Sequence, residues 1–153
     1  MNKNKEKYCN LIYNKILKDI VKPISGNKTT YLSELLAIGK KLFGVKFKGV
    51  FPSDKIPKLN DLSPYAILNL DRSTESGSHW VAIAKHGDNT YLYDSFGRKH
   101  TQIIPNLYYS GNGKIIDTDN DAEQKVYEID CGARSIGWLL FFDKWGPECA
   151  LLI

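Results

Sequence analysis

At 153 residues, with 42% apolar and 25% charged side chains, the chain has the make-up of one globular domain (1–153) large enough to bury a core. Its net charge of +4 permits weak attraction to polyanions but requires no nucleic-acid partner, and no basic stripe interleaved with aromatics runs through it. The longest uncharged apolar run, 135–142, is too short to span a membrane, and the lysine-dotted start carries no signal-peptide core.

Lysine (18) far outnumbers arginine (3), and isoleucine and asparagine are abundant, the usage of an AT-rich genome rather than a mark of function. Cys9, Cys131 and Cys149 form no C-x-x-C pair. An odd number without such a pair predicts a reducing intracellular setting, no disulfide framework, and room for one reactive thiol. Cys9 and Cys149 read as packing or surface thiols.

In chain order, Tyr8, Leu11, Ile12, Ile16 and Ile20 recur at helical spacing. They predict an amphipathic helix over 5–21, stopped near Pro23. After a loop at 25–28, Leu32, Leu35, Leu36, Ile38 and Leu42 predict a second helix closed by Gly44. Residues 45–63 hold prolines and a glycine in a broken pattern and predict an ordered loop. Residues 65–70 read as a buried strand and 71–77 as a polar connection.

The clearest element is the hairpin over 78–96, two β-rich apolar runs around His86-Gly87-Asp88-Asn89. If Lys85 pairs with Thr90, Val81 stands opposite Asp94 and His79 lies diagonally across from it. Alternation then places His79, Val81, Ile83, Leu92 and Asp94 on one face. A turn through Thr101–Leu107, a bend at Gly111-Asn112-Gly113, a strand at 114–117 and an acidic loop at 117–121 follow. The apolar run 133–142 reads as the central buried helix, with Cys131 at its N-terminal end.

A helix N-terminus stabilises an anion, and a neighbouring imidazolium adds to this, so Cys131 is either a nucleophile or a buried structural cysteine. Gly132 allows a substrate carbonyl to approach the backbone closely. His79 and Asp94 fit two roles equally: a base with its orienting acid, or a partly buried histidine bonded to a neighbouring carboxylate. Gln124, seven residues before Cys131, can donate to an oxyanion, as can the Cys131 N–H. Asp117, Asp119, Asp121 and Glu128 match acidic positions of a calcium loop, but Ala122 stands where the sharp turn needs glycine. The histidines and cysteines lack zinc-ligand spacing, so no metal or other cofactor is expected.

Taken in order, Gly77-Ser78-His79-Trp80, the stretch Tyr91-Leu92-Tyr93-Asp94-Ser95-Phe96-Gly97, Gln124 and Cys131-Gly132 resemble the adenain-like cysteine proteases, relatives of the SUMO and ubiquitin-like proteases. The resemblance covers about 47–145. It implies Cys131 as nucleophile, His79 as general base and acid, Asp94 as orienter and Gln124 as oxyanion donor. It also implies Trp80 as a wall of a narrow cleft favouring small residues such as glycine near the scissile bond. The implied fold is α+β: a central, mostly antiparallel sheet packed on a buried helix that carries the nucleophilic cysteine at its N-terminus, with additional N-terminal helices. The implied activity is endoproteolysis of capsid or other structural precursors during virion maturation. It would take place in the virion or an intracellular viral factory of a virophage or related large-DNA-virus element. DNA binding or activation would be weak, and no membrane is involved. Removal of ubiquitin-like modifiers, and a non-catalytic module binding capsid protein or DNA, are the alternatives. Asp94 replaces the glutamate of the adenain branch, and only 22 residues follow Cys131, fewer than in that branch.

Overall fold

The hairpin forms in the register expected from its turn. In a computed structural model that describes residues 3–25, 32–70, 79–118 and 130–153, β3 (Trp80–His86) and β4 (Asn89–Tyr93) pair with Lys85 opposite Thr90 and Ala82 opposite Tyr93. Gly87, at a φ of 61°, takes the first of the two turn positions, where a hairpin turn of this length favours glycine.

This hairpin is the middle of a five-stranded sheet in the order β1-β2-β3-β4-β5, with β1 at Phe47–Pro52, β2 at Tyr65–Asn69 and β5 at Lys114–Asp117. The fold is therefore α+β, as expected, but the sheet is mixed rather than mostly antiparallel. β1 runs parallel to β2 and β5 parallel to β4, while the two inner pairings are antiparallel. The reason is connection length: residues 53–64 and 94–113 are long enough to return the chain to the same end of the sheet, which a tight hairpin cannot do.

β1 also corrects the expectation of a loop over 45–63. Its register shifts between Phe47 and Gly49, and Pro52 ends it. Glycine bulges and proline are tolerated where one side of a strand needs no ladder bonds.

The helices are α1 (Lys3–Ile16), α2 (Lys22–Ser25), α3 (Leu32–Phe43), α4 (His100–Ile103), α5 (Cys131–Trp145) and α6 (Pro147–Ala150). α1 does not stop before Pro23. A π turn over Leu17–Val21, with Lys22 N–H bonded to Leu17 O, carries the helical path into α2. The wider turn relieves the clash between a proline ring and the carbonyl four residues back. The buried stripe of this segment is Cys9, Tyr13, Ile16, Leu17 and Val21, which keeps Ile16 of the predicted one, with Ile12 half-buried beside it, while Tyr8, Leu11 and Ile20 face outward.

One face of the sheet offers Tyr65, Ile67, Trp80, Ala82, Ala84, Tyr91 and Tyr93 to α1, α3 and α5. The other offers Ala66, Leu68, Val81, Ile83 and Leu92 to Leu59, Ile104 and Leu107 from the connections. Asn112 locks that second layer: it accepts from Leu59 N at 2.7 Å and donates to Pro57 O at 3.0 Å, while Thr90 Oγ1 donates to its carbonyl at 2.7 Å.

The cysteine expectation is corrected. Cys9 on α1 and Cys149 on α6 are joined by a disulfide across 140 residues, with Cα atoms 5.6 Å apart, and Cys131 is the free cysteine. Spacing in sequence carried no sign of this pairing, because it depends on α1 and α6 meeting beside α5. Among the described residues, no helix is long and apolar enough to cross a membrane.

Candidate active site

The ladder residues of β3 and β4 alternate strictly between the two faces, so Val81, Ile83 and Leu92 point away from α5. His79 and Asp94 would share that side by parity. They sit just outside both strands, however, where the ladder has ended and alternation no longer dictates direction. At this rim the His79 Nε2 lies 2.7 Å from Asp94 Oδ1. The side chain of Cys131, the first residue of α5, also acts on this ring and favours its charged form.

Asp94 is held from several directions. Residues 94–97 form a turn closed by Gly97 N to Asp94 O at 2.8 Å, and Gly97 at a φ of 71° redirects the chain so that Arg98 comes back to the carboxylate. Phe96 N donates to Oδ1 at 3.1 Å, Arg98 Nε to Oδ2 at 2.7 Å and Arg98 N to Oδ2 at 3.3 Å. Burial works to raise the Asp94 pKa. The bonds from His79 and Arg98, the His79 charge and the Phe96 N–H outweigh it and hold the carboxyl below the usual range. Burial likewise opposes charge on His79, but the bond to Asp94 and the Cys131 side chain prevail and raise the imidazole above its ordinary value. The Phe96 ring stacks on His79 with centroids 4.8 Å apart.

Cys131 is buried at the start of a fifteen-residue helix. Its turn is pinned to β3 by Ser135, whose hydroxyl lies 2.8 Å from Cys131 O and 3.2 Å from Trp80 O. The acid beside it, Asp130, is neutralised: Arg134 Nε is 3.0 Å from Oδ1 and Lys22 Nζ 3.3 Å from Oδ2. Gly132 is buried in the first turn of α5, and Trp80 is buried in the helix-side core together with Cys131. Gln124 lies outside the described residues, as do Gly77 and Ser78.

The chain thus brings Cys131 to the His79–Asp94 pair, a grouping in which an imidazole can take a thiol proton while the carboxylate holds its tautomer. No known protein family matches the chain, and no curated protein does either.

Sequence reasoning passed over Arg98, Asp130 and Arg134. A signal was there: each arginine stands four residues after the aspartate it pairs with. The acidic position Asp117 has another use than calcium. Its two oxygens meet His100 N at 2.7 Å and His100 Nδ1 at 2.8 Å, tying the start of α4 to the end of β5. Asp119, Asp121 and Glu128 lie outside the described residues.

Proposed function

We propose that the chain is a cysteine endopeptidase. Cys131 gives its proton to His79, and the thiolate sulfur bonds to a peptide carbonyl carbon. The resulting oxyanion is received by the Cys131 N–H and Gln124. As the C–N bond breaks, His79 returns the proton to the departing amine. A water, deprotonated by His79, then attacks the thioester, releasing the carboxylic acid and restoring the thiol. Asp94 keeps the ring oriented and balances its charge throughout.

The observation that carries this reading is the single imidazole bonded to a buried carboxylate and acted on by the side chain of a cysteine that opens a long helix. The order His79, Asp94, Gln124, Cys131 supports placing the activity with the adenain-like proteases. On that basis capsid and other structural precursors are the proposed substrates, cut beside small residues during virion maturation.

Purified protein incubated with candidate capsid precursors should generate new termini by mass spectrometry. Cys131→Ala should generate none while keeping its circular dichroism spectrum. Equal cleavage by both would sink the assignment. Cleavage confined to ubiquitin-like conjugates would reassign the substrate class. Binding of a precursor without any new terminus would leave a non-catalytic module.

A further inference from the structure

We propose that Arg98 is a positioning residue for His79, acting through Asp94 on one side and Phe96 on the other; this deepens the protease reading and rests on it for the catalytic consequence. Arg98 reaches the histidine by two separate routes. Its Nε, 2.7 Å from Asp94 Oδ2, holds the oxygen that His79 does not use, so the carboxylate plane cannot swing away from the ring. Its guanidinium also lies over the Phe96 ring, 5.2 Å from the centroid, and the same ring stacks on His79 at 4.8 Å and 25°. Guanidinium and imidazole thus both contact the Phe96 ring and both bond the Asp94 carboxylate.

Arg98 differs from a buried structural arginine. Its side chain is 40% exposed while Asp94 is fully enclosed, so the positive charge reaches the acid from the solvent side. A planar guanidinium can bond in the carboxylate plane and stack at the same time, which an ammonium cannot. The charged and titratable groups facing His79 are Asp94 from the end of β4, Cys131 from α5 and, across Asp94, Arg98. Asp130, next in the chain to Cys131, is balanced by Arg134 and Lys22.

Arg98 draws part of the carboxylate's negative charge and repels the imidazolium. Its loss leaves Asp94 wholly to His79. The His79 ring, followed by NMR in the resting protein without substrate, should therefore titrate higher in Arg98→Gln, by about one pH unit. Arg98→Lys restores the charge and should return the midpoint toward wild type. It lacks the in-plane bond and the stack, so kcat should stay about tenfold down with KM little changed. A melting curve for each variant separates loss of fold from loss of position. An unmoved or lowered His79 midpoint in folded Arg98→Gln would overturn the proposal, as would full kcat in Arg98→Lys together with full kcat in Arg98→Gln. If no substrate is ever cut but the midpoint rises as described, the positioning role stands and the protease reading falls instead.

Discussion

His79 and Asp94 make the stability of the fold depend on pH in opposite directions. His79 has its pKa raised on folding, so its contribution is complete below the unfolded histidine value and is lost as pH rises through the folded one. Asp94 has its pKa lowered, so its contribution is complete above the unfolded carboxyl value and is lost as pH falls through the folded one. Their windows overlap between about pH 4 and about pH 6.5. Denaturant unfolding across pH should find the margin of wild type over Asp94→Asn largest inside that range and shrinking on either side. A margin independent of pH would mean that the pair is not an ion pair in solution. The same two residues show how far a short pattern can be trusted. Their pairing followed from turn chemistry and parity; their reach to Cys131 did not, because it begins where the strand pattern ends.

At the scale of elements, one close contact decides how α3 sits on the sheet. Gly39 faces the ring of Phe47, and a Cβ there would overlap that ring. Phe47 is fully buried and stacked on Phe43 at 6.1 Å, so it has little room to give. Gly39→Ala should destabilise the protein by about 1–3 kcal/mol despite its better helix propensity, read as a lowered denaturant midpoint. A stabilised variant would mean that α3 stands further from β1. The elements best read from sequence were those whose two sides are both defined locally: the hairpin, β2, β5 and the apolar α5. The stripe of α1 was read turned partly outward, because Tyr8 and Leu11 satisfy the same periodicity as Cys9 and Tyr13. The choice belongs to Tyr13, whose hydroxyl bonds Tyr93 at 2.8 Å, and to Cys9, which is tied to α6.

Across the whole molecule, the Cys9–Cys149 disulfide closes a loop of nearly the entire chain. Chain-entropy reasoning for so long a loop gives about 5 kcal/mol of stability relative to the open dithiol. Under denaturing, non-reducing conditions the protein should show one reactive thiol, Cys131, and three after reduction. The Cys9→Ala, Cys149→Ala double variant should unfold at markedly lower denaturant. Three thiols before reduction would show that the two cysteines meet without bonding. The link also bears on the site at a distance, since α1 and α6 both flank α5, whose first residue is Cys131.

By itself the sequence determined the α+β class, the hairpin register and the identity of the residues worth watching, because turn chemistry and two-residue alternation act over a few positions. Tertiary structure alone decided that Cys131 meets His79, 52 positions earlier in the chain, that Phe96 stacks on His79 while Arg98 holds Asp94, and that Cys9 finds Cys149. It also decided the parallel edges of the sheet. Those outcomes depend on where long connections return and on which helix stripe wins the core, and such choices are settled by packing between elements remote in sequence.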